Sequence, residues 1–242
     1  MSTETKTPFL SHLLELRTRL IRSVIAIAVA SVIAFFFYDW LFYFLKLPAE
    51  GINLVFIEMT EMLGTIMRVC LVAGVMLAMP YIVYEVIMFV SPALTAREKR
   101  YVYIILPWIA LMFFGGVAFG YFVLLPPALR FLLNFGAGIA TPEIRIGNYI
   151  SLITRLLLAI GIVFEMPVIT TFLARLGVLT SQWLARRRKA AIIISFILAA
   201  MITPTFDPIN QTAVAVPLIA LYELSIWLAW LVQRRKAKQT QE

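Results

Sequence analysis

Residues 11–37 read S-H-L-L-E-L-R-T-R-L-I-R-S-V-I-A-I-A-V-A-S-V-I-A-F-F-F, a charged leader that runs without a break into an apolar stretch. From Ser23 to Phe44 the only charged residue is Asp39. At 1.5 Å per residue that run, as a helix, crosses the ~30 Å hydrocarbon core of a bilayer. The leader before it is amphipathic over about residues 8–22. On a helical wheel Ser11, His12, Glu15, Thr18, Arg19 and Arg22 share one arc, and Leu10, Leu13, Leu14, Leu16, Leu20 and Ile21 fill the other. Arg17 falls inside the apolar arc, where an arginine must snorkel to the interface or find a partner.

The same pattern recurs along the chain. Hydrophobic residues make up 62% of the 242 and charged residues 14%, against about 25% charged in soluble domains. Six spanning segments are expected, at Ser23–Phe44, Leu63–Phe89, Tyr101–Leu125, Tyr149–Leu173, Ala190–Thr203 and Ala213–Val232. The fifth and sixth look short, which predicts local bilayer thinning and a one-sided, concave bundle. The first apolar run is too long for a cleavable signal and lacks a small-residue cleavage site. No repeat, low-complexity tract or soluble domain interrupts the chain, so residues 1–242 read as a single membrane domain with a basic tail at about 233–242. The lone Cys70 excludes an internal disulfide.

Charge sets the orientation. Of the 21 Lys and Arg residues, 16 fall in the N-terminus, the second–third connection, the fourth–fifth connection and the tail. Lys46, Arg68, Arg130, Arg145 and Arg155 remain for the opposite side. The positive-inside rule then places both termini in the cytoplasm. Of the outer connections, Lys46–Glu61 carries the breakers Pro48 and Gly51, and Leu125–Asn148 is long enough to hold short interfacial helices.

The ionisable residues each admit a plain reading and a functional one. Glu15 pairs with Arg19 at i,i+4, or offers an anionic surface to a cationic ligand at the membrane edge. His12 serves as interfacial packing or a cap. Glu98 forms a capping box with Thr95 at the start of the third span, and its second oxygen stays free for a guanidinium. Glu165, in G-I-V-F-E-M-P, lies deep in the fourth span, where a charge costs ~2.5–3.5 kcal/mol. It either satisfies a carbonyl near Val163 freed by Pro167, or faces a cavity or partner helix. Glu85 and Glu223 are expected to snorkel toward the cytoplasmic side.

No phosphate-binding loop, H-E-x-x-H motif or paired intramembrane aspartate occurs. A catalytic role is therefore not expected, nor a metal, cofactor or nucleic-acid partner.

Five motifs resemble the TatC family, the polytopic core of the twin-arginine protein translocase. They are H-L-L-E-L-R-T-R-L at 12–20, F-V-S-P-A-L-T-A-R-E-K-R at 89–100, G-Y-F-V-L-L-P at 120–126, F-E-M-P at 164–167 and T-P-x-x-D…Q at 203–211. They occur in order over nearly the whole chain. The resemblance implies a six-helix, glove-shaped all-α bundle in the cytoplasmic membrane of a bacterium or archaeon, binding twin-arginine signal peptides of folded precursors. It implies TatA- and TatB-like single-span partners, self-assembly, and export driven by the proton-motive force. It assigns Glu15 and Glu98 to the patch that recognises the paired arginines, with Arg17 and Phe89 beside them. Arg17 is then expected to hold that patch against a neighbouring segment. Glu165 matches the buried glutamate of the concave face, Pro48 a proline of the first outer loop, and Tyr121 a family tyrosine. Thr203, Asp207 and Gln211 match polar positions near the partner-docking helices. Glu85 stands where the family more often has an amide, and T-P-T-F-D replaces the shorter T-P-P-D. A proton-coupled secondary transporter using Glu165 is the alternative. It predicts internal pseudo-symmetry and paired broken helices, and the sequence carries neither signal.

Overall fold

The structure, a computed structural model, describes residues 8–49, 54–90, 96–134, 143–203 and 208–239. Their regular structure is helical apart from one two-residue strand pairing. The helices are α1 (Pro8–Phe36), α2 (Tyr38–Lys46), α3 (Met59–Val90), α4 (Ala96–Phe119), α5 (Leu125–Asn134), α6 (Ile146–Phe164), α7 (Met166–Leu176), α8 (Ser181–Arg186), α9 (Arg188–Ile202) and α10 (Pro208–Gln239). The strands are β1 (Leu54–Val55) and β2 (Ile144–Arg145).

Five stretches among the described residues are long and apolar enough to cross a membrane: His12–Phe36, Met59–Phe89, Ile105–Asn134, Ile146–Leu176 and Asn210–Arg234. The chain is thus a multi-pass membrane protein. The fifth expected segment is α9, whose 15 residues span only ~22 Å. The sixth is not short, contrary to expectation: α10 runs for 32 residues. The apolar run alone underestimates it, because Pro208 suits a first helical position and Gln, Arg and Lys carry the helix past Val232.

The chain divides into two compact units. In the first, residues 1–42 and 66–110, α1 and α3 meet at three rungs. His12 stacks on Phe89 with ring centroids 4.3 Å apart, Arg19 reaches Glu85, and Gly74 lies against Ser31. The two series of numbers run in opposite senses, as antiparallel helices require. The third rung needs glycine, since a Cβ on Gly74 would fall 2.6 Å from the Ser31 backbone nitrogen.

In the second unit, residues 43–65 and 111–242, α4 passes through a π-helical segment, Gly120–Leu124, into α5. The Leu125 N–H reaches back five residues to the Gly120 carbonyl. Pro126 and Pro127, which follow, have no N–H to offer the normal ladder. Residues 125–134 therefore continue the helical path of α4 without a break. Phe113 packs on Gly161 and Phe164 on Gly116, where added Cβ atoms would lie 2.7 and 2.6 Å from the rings. Two short strands pair in parallel, Leu54 with Ile144 and Val55 with Arg145. Apolar spacing carries no sign of them. At the other end Gly177, at φ 82°, closes α7 with its N–H on Ala174. Ala174, Leu184, Ile226 and Ala229 form a buried cluster beyond it.

Candidate functional site

Glu15 sits on the polar arc of α1, one turn before Arg19, and the plain i,i+4 pairing is realised. Arg19 donates from Nε and Nη2 to the single oxygen Glu15 Oε1, at 3.0 and 2.6 Å. Glu15 Oε2 has no hydrogen bond among the described residues, and the side chain is about one-third exposed (34%). Arg19 does more than pair locally. Its Nη1 donates to Glu85 Oε2 at 2.8 Å, across 66 residues of sequence.

Glu85 does not snorkel. It is 3% exposed, with the Tyr81 hydroxyl donating to its other oxygen at 2.7 Å. Burial of a carboxylate is tolerated here because both oxygens are bonded and a guanidinium neutralises the charge. His12 and Phe89 stack together about one turn beyond this network, on the side away from Ser31 and Gly74, so Phe89 borders the Glu15 surface. Arg17 is exposed and makes no ion pair among the described residues, so no contact there realises the expected role of bracing a neighbouring segment. Thr95 and the Glu98 side chain lie outside the described residues, so the expected capping box does too.

Glu165 occupies the one-residue break between α6 and α7. Pro167 cannot donate to the Val163 carbonyl, so the ladder breaks there. The Glu165 N–H turns to Ile162, and its carbonyl accepts from Val168 and Ile169. The carboxyl does not satisfy a freed carbonyl, as one reading expected. It is 1% exposed, and neither oxygen has a hydrogen-bond partner among the described residues. The helix break is made by backbone alone, which leaves the acid available to another group.

The remaining sequence-derived positions fall in structural roles. Tyr121 donates to the Phe44 carbonyl at 2.6 Å and Tyr149 to the Leu45 carbonyl at 2.9 Å. These are orphan carbonyls in the last turn of α2. Pro48 lies in the 3-10 turn Leu47–Ala49 that follows. Thr203 bonds back to the Ala199 carbonyl, and the Gln211 amide donates to the Phe196 carbonyl at 3.0 Å, tying α10 to α9. Asp207 lies outside the described residues. Glu223, half-exposed, pairs with Arg188 at 2.8 Å.

Glu61 carries a cluster that sequence reasoning missed. Its carboxylate accepts from the backbone N–H groups of Ile57 and Gly147 and from Arg145 Nη2 at 3.0 Å. Glu61 therefore fixes the start of α6 beside the strand pair. The available signal was an acid in the first turn of α3 together with an arginine on the same predicted side.

No group of three or more metal-ligating side chains occurs among the described residues.

The comparisons agree with one another. The family model "Sec-independent protein translocase protein (TatC)" matches residues 11–217. The chain is 38% identical to the Sec-independent protein translocase protein TatC of Carboxydothermus hydrogenoformans, over 93% of each chain. It is 40% identical to that of Aquifex aeolicus, over 95% of this chain and 97% of the relative. A crystal structure of the twin arginine translocase receptor TatC superposes with a TM-score of 0.81 at 40% identity, covering 92% of this chain and 99% of the other.

Proposed function

Because this chain belongs to the TatC family of Sec-independent protein translocase proteins, we propose that it is the membrane receptor for twin-arginine signal peptides. The single observation that carries the reading is the state of Glu15. It is a partly exposed carboxylate at the polar end of a membrane helix, and its Oε2, without a hydrogen bond among the described residues, can accept a guanidinium. Glu98 supplies the second acceptor, with Arg17 and Phe89 bordering the peptide. Each charge-assisted hydrogen bond contributes roughly 1.5–3 kcal/mol. The role is binding and not catalysis.

The chain crosses the membrane six times with α9 as the short crossing, and the basic connections place both termini in the cytoplasm. The apolar part of the signal peptide lies along the face that Glu165 serves. TatA- and TatB-like single-span proteins dock on α9 and α10 near Thr203, Asp207 and Gln211. Copies of the receptor assemble, and the proton-motive force drives export of the folded precursor.

The test is site-specific photocrosslinking from positions 15 and 98 to a labelled precursor. Crosslinks that vanish when its arginine pair is replaced by lysines support the reading. Crosslinks indifferent to that replacement overturn it.

A further inference from the structure

Arg19 presents to Glu15 the same chemistry that an incoming signal arginine would present. We propose that Arg19 is an internal stand-in for the ligand, and that Glu85 is the positioning residue that receives Arg19 when a guanidinium displaces it from Glu15. The proposal rests on the reading of Glu15 as a receptor carboxylate.

Three features of the contact carry it. First, Arg19 bridges two carboxylates of unequal exposure. Glu15 is one-third exposed and open to a ligand, whereas Glu85 is buried. Second, the grip is uneven. Two donors of Arg19 converge on one oxygen of Glu15, and a third donor sits on Glu85. A guanidinium has five N–H donors in a fixed fork, so Arg19 can leave Glu15 without losing its hold on Glu85. Third, Arg19 is the only cation paired with Glu85 among the described residues. A buried carboxylate stripped of its partner is strongly penalised, so displacement moves Arg19 toward Glu85 and not into solvent.

The consequence is a selectivity threshold. A ligand gains Glu15 only by out-competing a guanidinium that is already there. A second guanidinium can do so with its own bidentate fork, but an ammonium, a point charge without that fork, cannot. Glu85 lowers the threshold for arginine by keeping Arg19 satisfied after release. Arg19 raises it for lysine.

The experiment measures binding of a twin-arginine signal peptide and its twin-lysine counterpart to the full chain in lipid nanodiscs. The variants are Arg19→Lys, Glu85→Gln, Arg19→Gln/Glu85→Gln and Glu15→Gln, each checked by thermal melting. Arg19→Lys keeps a cation on Glu85 and gives up the fork, so the arginine-over-lysine ratio should fall roughly tenfold, the worth of one charge-assisted hydrogen bond. Glu85→Gln leaves Arg19 with Glu15 as its only anion and should weaken the arginine peptide by a similar factor. Removing Arg19 as well should restore binding, which a merely structural role for Glu85 would not do. If Glu15→Gln abolishes binding while the other three leave the ratio unchanged, the stand-in is wrong and the receptor reading survives. If Glu15→Gln changes nothing, the receptor reading itself fails, and this proposal with it.

Discussion

Gly74 faces Ser31 so closely where α1 and α3 meet that a Cβ at position 74 would collide with the Ser31 hydroxyl and lie 2.6 Å from its backbone nitrogen. Small residues at such crossings let membrane helices approach closely, since packing replaces the hydrophobic effect that lipid does not supply. This contact lies about three turns beyond the Arg19–Glu85 pair along both helices, so it helps hold that pair in register. Gly74→Ala should therefore destabilise the chain by about 1–3 kcal/mol, the usual cost of overpacking. A lowered melting temperature in detergent would register it, whereas an unchanged one would show that α1 shifts freely.

Replacing Glu98 by Ala should weaken a paired-arginine peptide by roughly tenfold or more, the worth of a charge-assisted bond at 1.4 kcal/mol per decade. A paired-lysine control should lose much less. Isothermal titration with both peptides decides the matter, and equal losses would remove Glu98 from the recognition site.

Glu165→Leu should raise thermal stability while lowering transport. The carboxyl is buried with both oxygens unbonded, a condition that costs ~1–3 kcal/mol. Leucine removes that cost and, with it, the group offered to peptide or partner. Transport of a precursor into inverted vesicles, measured beside the melting curve, tests both halves. Unimpaired transport would refute the functional half.

Tyr121→Phe should cost about 0.5–1.5 kcal/mol, the net worth of its hydrogen bond to the Phe44 carbonyl. Phe44 sits in the last turn of α2, where its carbonyl lacks a partner within the helix, so hydrogen exchange over residues 43–46 should speed up in the variant. Exchange identical to that of the parent would mean that Tyr149 alone caps the helix.

A double-mutant cycle on Glu61 and Arg145 should show positive coupling. Each single change, Glu61→Gln or Arg145→Gln, removes the ion pair between them. The double change should therefore lower the melting temperature by less than the two single changes together. Strict additivity would mean that the Ile57 and Gly147 backbone bonds, and not the ion pair, carry the cluster.

The membrane class, nearly all the crossings and the family were legible in the chain alone, because bilayer thickness imposes a length on apolar runs that local counting reads directly. The shortness of α9 followed from the same count. The length of α10 did not, because good helix formers extend it beyond the apolar run. Glu15 was legible as half of an i,i+4 pair, since that spacing is a property of one helix.

The fate of Arg19 was decided elsewhere. Its second acceptor lies on another helix 66 residues away, and no local period encodes which turn of α3 stands opposite which turn of α1. The same holds for Tyr121 on the Phe44 carbonyl, Glu61 on Gly147, and the pairing of Leu54 with Ile144. Hydrogen bonds act over about 3 Å, and only the packed tertiary structure brings such residues within that reach. The sequence by itself therefore determined that the chain spans a membrane and which residues carry charge at its edge. Tertiary structure alone decided that the arginine paired with Glu15 also reaches the buried Glu85.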